Sequence, residues 1–322
     1  MLAAVLHGMN QEISLEERPS LIPAPDHTVV SVQFAAMNHR DLWIQKGQYA
    51  GLKYPIILGS DGMGTVEGKQ VIILPGMDWG DHEAYQSRTY RILGLPDDGT
   101  FAEEVLVPTG NLFPKPDHLS DEEAAALPLA GLTAYRATFV KAQVQPGESV
   151  LITGIGGGVA TLAMQMALAA GANVYVTSGS SEKIEQAMRM GAQGGVNYQD
   201  ESWPQALKKM SGGIHKIVDG AAGRSLGLAI ECLLPGGIAV NYGGTTGPIE
   251  IIPQRLFWNQ VTLKGTTMGS KSDFAAMLSF VGKHKIHPVI AGVFPLNKIN
   301  EAFAFLKSTA QFGKVVLAIP SL

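Results

Sequence analysis

The stretch VLITGIGGGVATLAMQMALAAGANVYVTSG, residues 150–179, constrains the fold more than any other. An apolar β-like run ends in a turn holding Gly154, Gly156, Gly157 and Gly158. A helical segment rich in alanine and methionine follows, and a second β-like run closes the stretch. Strand, turn, helix and strand at this spacing form a βαβ unit, whose strands lie parallel in one sheet. The rhythm continues through EKIEQAMRM, GVNY, PQALKKM, KIVD, SLGLAIECL and GIAVNY. Such alternation predicts an α/β unit, a doubly wound parallel sheet with helices on both faces.

The glycines also say what the turn can hold. Without Cβ atoms the backbone turns tightly and lies close to a ligand. N–H groups at the start of the following helix, together with its dipole, favour an anion such as a pyrophosphate. Of the dinucleotide spacing G-x-G-x-x-G or A, Gly154 and Gly156 fill the first two places; the third falls on Val159, with Ala160 one residue on, so the match depends on register. Gly154, Gly156, Gly157, Gly158 and Val159 are therefore expected to contact a dinucleotide. At the end of the second strand, where NAD sites place an acid, the chain reads Thr177, Ser178, Gly179, Ser180, Ser181, and then Glu182 and Lys183. Small hydroxyl residues with a lysine suit a 2′-phosphate, so NADPH is expected in preference to NADH.

The first third is different. HTVVSVQF, GTVEGKQVIIL and FAEEVLVP alternate and are bounded by turn residues, predicting a compact β unit, with a long loop over GMDWGDHEAYQSRTYRILGLPDDG. Ser120 and Glu123 have capping-box spacing, and Pro128 breaks or restarts the helix they begin. The tail holds two helical stretches, DFAAMLSFVGK and INEAFAFLK, and a final strand KVVLAI.

Composition excludes several functions. The net charge is −4 with no basic run, which gives no footprint for nucleic acid. No apolar run approaches the ~18 residues that span a bilayer, and the start MLAAVLHGMNQEISLEE lacks the pattern of a signal peptide. A cytoplasmic protein with no membrane partner is expected. A single cysteine, Cys232, allows neither an intrachain disulfide nor a cysteine-rich zinc site, and its apolar surroundings predict a buried thiol.

The chain resembles the medium-chain dehydrogenase/reductase superfamily, and within it the zinc-independent quinone oxidoreductase-like branch. The matching stretches are AAMNHRDLWIQKGQY, YPIILGSDGMGTVEGKQV, GTFAEEVLVP, LPLAGLTAYRA, GIGGGVA, EKIEQAMRMGAQGGVNY, PGGIAVNYGG and GKVVLAI. The resemblance implies a GroES-like β-barrel catalytic domain over residues 1–127, a Rossmann NADP-binding domain over 128–267, and a return to the catalytic domain over 268–322. It implies a homodimer or homotetramer pairing edge strands near IEIIPQRLFW and VTLKGTTMG, and a site in the cleft between the domains.

Relatives that oxidise alcohols hold zinc through residues at the places of Asn38, Ser60 and Leu129. None of these three is a zinc ligand here, and Asp61 alone cannot supply the set. The histidines of DHE (81–83) and HKIH (284–287) do not rebuild one. His284 and His287 would share a helical face, but Pro288 marks that helix as ending. No metal is expected. Without a Lewis acid, hydride addition to an acceptor activated by conjugation is the easier task. The resemblance gives Asn38 as an amide donor to a carbonyl and Tyr49 as a proton donor, with Tyr54 nearby. It gives Arg40 and Asp41 as a structural pair and His39 as a phosphate contact. It places Thr133, Thr267 and Met268 by the nicotinamide, Ser178, Lys183 and Tyr198 by the adenosine ribose phosphate, and Asn241, Tyr242 and Gly243 at the sheet edge. Gly313 and Lys314 reach toward the phosphates. The expected activity is NADPH-dependent reduction of a small-molecule quinone or α,β-unsaturated carbonyl. The alternatives are an alcohol dehydrogenase or enoyl-thioester reductase of the same superfamily, and a non-catalytic NADPH-binding sensor.

Overall fold

Short alternating runs punctuated by Gly, Pro and Asp become strands in the computed structural model, which describes residues 1–320. In chain order these are β1 (Leu2–Leu6), β2 (Ser14–Glu17), β3 (His27–Ala36), helix α1 (His39–Gln45), β4 (Ile56–Ile57), β5 (Asp61–Val66) and β6 (Lys69–Ile73). Then come β7 (Gly76–Met77), β8 (Arg91–Ile92), β9 (Glu104–Pro108), β10 (Leu112–Pro114), α2 (Asp121–Ala126) and α3 (Pro128–Tyr135). The capping box forms as its spacing requires. Ser120 Oγ accepts from Glu123 N at 3.2 Å, and Glu123 Oε2 accepts from Ser120 N at 2.9 Å. Pro128 opens α3, where its missing N–H costs nothing.

The middle of the chain alternates strictly: β11 (Ser149–Ile152), α4 (Gly158–Ala169), β12 (Asn173–Ser178), α5 (Ser181–Arg189), β13 (Gly194–Asn197), α6 (Trp203–Ser211), β14 (Ile214–Asp219), α7 (Gly223–Ile230), β15 (Leu233–Asn241), α8 (Pro253–Trp258) and β16 (Thr262–Gly265). Its six parallel strands lie in the order β13-β12-β11-β14-β15-β16. The order reverses between β11 and β14, and the carboxyl ends of strands at such a switch point open a crevice. The core here joins Leu151, Val196, Trp203, Leu207, Ile217 and Leu226.

The chain then adds α9 (Lys271–His284), β17 (Ile290–Pro295), α10 (Ile299–Lys307) and β18 (Lys314–Ala318). β18 pairs antiparallel with β3, so the last strand completes the sheet begun by the first third. That sheet runs β10-β6-β5-β3-β18-β17, with β9 also on β3, beside a smaller sheet β2-β1-β4. Two compact units result: Met1–Leu132 with the segment from Gly269 onward, and Thr133–Met268. The first has its own core, including Val30, Val32, Phe101, Phe303, Val315 and Leu317.

One local expectation is corrected. The segment IEIIPQRLFW holds no strand: Pro253 starts α8, because a proline at the first helical turn loses no hydrogen bond. The long loop after Gly76 forms, with β7 and β8 pairing at its base. The helix ahead of Pro288 ends as expected: α9 stops at His284, and Lys285 caps it in the left-handed region, so His284 and His287 share no helix face.

Candidate functional site

Each unit has its own polar centre. In the six-stranded unit it lies at the carboxyl ends of the strands. Gly154 has φ +63° and Gly156 φ +114°, values that favour glycine, and Gly157 is the N-cap of α4. A Cβ on Gly154 would meet nothing within 4 Å, and the same holds for Gly244 and Gly265. The backbone is therefore bare and faces open space. The N–H groups of Gly156, Gly158, Val159 and Ala160 have no acceptor among the described residues, whereas Gly154 N donates to Thr177 Oγ1 at 3.3 Å. Four unengaged donors at the start of a helix suit an anion.

Thr177 therefore serves the turn rather than a ligand. Ser178 Oγ accepts from Ser180 N at 3.1 Å, and Ser180 Oγ accepts from Lys183 N at 3.3 Å as the N-cap of α5. These hydroxyls hold the backbone that presents Lys183. The Lys183 side chain is half-buried, and burial pulls its ammonium below the usual lysine range. Tyr198 leans over Gly179, where a Cβ would fall 2.7 Å from its hydroxyl. Ser178, Lys183 and Tyr198 thus gather at the end of β12, with no acid among residues 177–181.

Asp219, which the sequence reading did not single out, organises the same edge. It is fully buried at the end of β14. Its carboxylate accepts from Thr153 Oγ1 at 2.6 Å, Ala222 N at 2.8 Å and Asn241 Nδ2 at 2.8 Å. The signal was an acid ending the apolar run KIVD. Asn241 also donates to Gly243 O at 2.7 Å, so its amide is fixed in the scaffold. Tyr242 packs over Gly220, and burial, with Asp219 second, pushes its phenol far above the usual range. Thr133 is buried, and Met268 is buried with φ +35° beside half-buried Thr267. Cys232 is buried and its thiol is pushed up to about 11 by burial, which makes it an inert packing residue.

The other unit centres on Asp61, also fully buried. Its Oδ1 accepts from Leu129 N at 2.7 Å, and its Oδ2 from Asn38 Nδ2 at 2.9 Å and Lys314 Nζ at 2.8 Å. Lys314 also donates to Asn38 Oδ1 at 2.6 Å. The Asn38 side chain is thus held at both ends, its Nδ2 by Asp61 and its oxygen by the Lys314 ammonium. Gly313 has φ +111°, and a Cβ there would lie 2.2 Å from Val289 O, so the approach of β18 needs glycine. Arg40 and Asp41 do not pair with each other. Arg40 Nη1 donates to Ser60 Oγ at 2.6 Å and Leu93 O at 2.8 Å, while Asp41 Oδ2 accepts from Asn38 N at 2.7 Å. Tyr54 donates its hydroxyl to Ile44 O at 2.9 Å, but Tyr49, half-buried, has no hydrogen-bond partner for its hydroxyl among the described residues. His39 is exposed on the first turn of α1.

Comparison with known proteins now decides the family. Residues 24–117 match the model of the alcohol dehydrogenase GroES-like domain, and residues 158–283 that of the zinc-binding dehydrogenase. A zinc-type alcohol dehydrogenase-like protein of Leptosphaeria maculans is 34% identical, covering 96% of this chain and 94% of its own. The chain belongs to the medium-chain dehydrogenase/reductase superfamily. Among solved structures, an NAD-dependent alcohol dehydrogenase superposes with a TM-score of 0.93 at 35% identity, over 99% of this chain and 100% of its own. The quinone oxidoreductase of Thermus thermophilus, solved also with NADPH, gives 0.84 at 29%, over 99% and 100%.

The name zinc-binding dehydrogenase calls for a test of the donors in this medium-chain dehydrogenase/reductase. At the three expected ligand places stand an amide, a hydroxyl and an isobutyl side chain, Asn38, Ser60 and Leu129. The oxygens of the first two already accept from the cations Lys314 and Arg40. Among the described residues no group of three or more His, Cys, Asp or Glu side chains is placed to hold a metal. His287 Nδ1 bonds Glu123 at 3.0 Å, and His82 stacks on Tyr85.

Asp41 gives a pH signature. Burial raises its carboxyl to about 6 against the pull of Arg40, and its Oδ1 has no partner among the described residues. The folded state thus holds the proton more tightly than the unfolded chain. The resulting stabilisation is complete below about pH 4 and is lost as pH rises through about 6. Asp41→Asn should therefore gain stability over the parent as pH goes from about 4.5 to about 7.5, across that titration window. Urea midpoints at the two pH values measure this, and a pH-independent difference would reject the raised carboxyl.

Proposed function

We propose that this medium-chain dehydrogenase/reductase is an NADPH-dependent, zinc-independent reductase of quinones or α,β-unsaturated carbonyls. The observation that carries the reading is the Asn38–Ser60 centre, whose oxygens are engaged by Lys314 and Arg40 rather than offered to a metal. Each oxygen already faces a cation, and Asn38, Ser60 and Leu129 offer no imidazole, thiolate or carboxylate, the donors that zinc sites use.

NADPH fits the glycine-lined edge. The unengaged N–H groups of Gly156, Gly158, Val159 and Ala160 would hold the pyrophosphate. Lys183, with Ser178 and Tyr198, would hold the 2′-phosphate. Thr133, Thr267 and Met268 would line the nicotinamide end, with Asn241, Tyr242 and Gly243 keeping the edge open. Gly313 and Lys314 belong to the other unit, where Lys314 has two of its three N–H bonds engaged. When bound, this cofactor supplies the hydride.

The protein's part is then orientation and proton supply. In a conjugated acceptor, charge arriving at the β-carbon spreads onto an oxygen, which must be stabilised or protonated. Tyr49 rather than Tyr54 is the candidate proton donor, because the Tyr54 hydroxyl is committed to Ile44 O. Asn38 is a positioning group in this scheme, since its Nδ2 is directed at Asp61. The second reading, an NAD-dependent alcohol dehydrogenase, is favoured by the name of the solved neighbour at 35% identity.

Steady-state oxidation of NADPH with quinones, enones and enoyl thioesters tests the activity. Turnover unchanged by a chelator is expected. Loss of turnover on chelation, with stoichiometric zinc in the protein, would establish the metal enzyme instead. Tight NADPH binding without turnover would establish a sensor.

Lys183→Ala should raise the Kd of NADPH about tenfold, or about 1.4 kcal/mol, while leaving that of NADH nearly unchanged. Equal weakening of both, measured by fluorescence titration, would reject the phosphate role.

We also propose that β16, the last strand of its sheet, pairs with a second copy. Trp258 is 81% exposed and Phe257 59%, beside exposed Leu263 on that strand. An open edge flanked by large apolar side chains is a liability unless covered. Trp258→Asp should give a monomer by light scattering with NADPH affinity retained. A monomeric parent protein would remove the proposal.

A further inference from the structure

The guanidinium of Arg40 is short of partners. Arg40 is 8% exposed, and its Nη1 is the nitrogen bonded to Ser60 and Leu93. Nε and Nη2 are buried with no hydrogen-bond partner among the described residues. A buried cation with two of its three nitrogens unmatched lowers stability. Nor do its neighbours need it: Ser60 Oγ also donates to Leu93 O at 2.8 Å, so both stay paired without Arg40. Hydrogen bonding therefore gives no reason for an arginine at this position, although its charge also acts on the buried carboxyl of Asp41.

What Arg40 does engage is Tyr49. Its Cζ lies 5.1 Å from the centroid of the Tyr49 ring, within the range of cation–π attraction. Tyr49 stands just past α1, where Gly47 N bonds Ile44 O and Gln48 N bonds Trp43 O. From Tyr49 to Lys53 no backbone hydrogen bond to the described residues holds the chain, and residues 50–53 are exposed. The next anchors are Lys53 Nζ, which donates to Pro96 O at 3.4 Å, and the Tyr54 hydroxyl on Ile44 O. On such a segment the ring is fixed by partial burial on the core and by the cation beneath it.

We propose that Arg40 is a positioning residue: its buried guanidinium holds the ring of Tyr49, and with it the phenol that supplies the proton. The proposal rests on the reading of Tyr49 as the acid, and its test separates the two.

Limited trypsin digestion reports the segment without turnover. Arg40→Met should speed cleavage after Lys53 several-fold while the melting temperature holds or rises, and Arg40→Lys should stay close to the parent. Turnover should fall at least about tenfold in Arg40→Met with the Kd of NADPH unchanged. It should fall no further when Arg40→Met is added to Tyr49→Phe. A melting temperature well below the parent's with cleavage unchanged, or equal losses of turnover in the presence and absence of the phenol, would overturn the positioning role. Full turnover in Tyr49→Phe would instead remove the acid reading, with the digestion still deciding whether Arg40 holds the ring.

Discussion

A carboxylate with no access to water must find its compensation inside the protein, and Asp61 finds it from three directions. The backbone N–H of Leu129, the amide of Asn38 and the ammonium of Lys314 converge on its two oxygens. These partners come from the start of α3, the start of α1 and the start of β18, so one buried charge fixes three chain segments far apart in sequence. Removing one partner from such a pair costs about 3–5 kcal/mol, since the remaining charge is left buried and alone. The placement of Asn38, and through it the entry to α1 with Arg40 and Asp41, follows from this cluster.

The six-stranded unit repeats the device with Asp219. Its oxygens collect the Thr153 hydroxyl from the end of β11, the Ala222 N–H at the start of α7 and the Asn241 amide from the end of β15. Ala222 is held at φ 62°, ψ −139°, a conformation that alanine adopts at a cost. The carboxylate bond to its N–H offsets part of that cost. A rigid rim results beside bare glycines, which is what a large polyanionic cofactor needs: fixed donors, and no side chains in the way.

The two centres differ in kind. The glycine-rich edge offers unengaged backbone donors, groups that suit an anion. At the Asp61 centre the carboxylate itself is well supplied with donors, while Arg40 and Asp41 beside it keep buried atoms without a partner among the described residues.

Much of the fold was legible in the sequence because it is written in short-range terms. The βαβ alternation, the capping box at Ser120, the helix restart at Pro128 and the positive φ of Gly154 and Gly156 all follow from residue spacing and local sterics. Where the family resemblance was followed over the local signal the reading failed, as in IEIIPQRLFW, where it implied an edge strand but the proline began a helix. The roles of the polar side chains were less accessible. Thr177 and Ser180 look like ligand groups in the sequence and serve the backbone in the structure. The convergence of Asn38, Asp61 and Lys314, like the setting of Arg40 beneath Tyr49 and away from Asp41, was decided by tertiary structure alone. Periodicity and turn chemistry act over a few residues and so survive in the linear chain; which buried charge meets which donor depends on strands brought together across hundreds of residues.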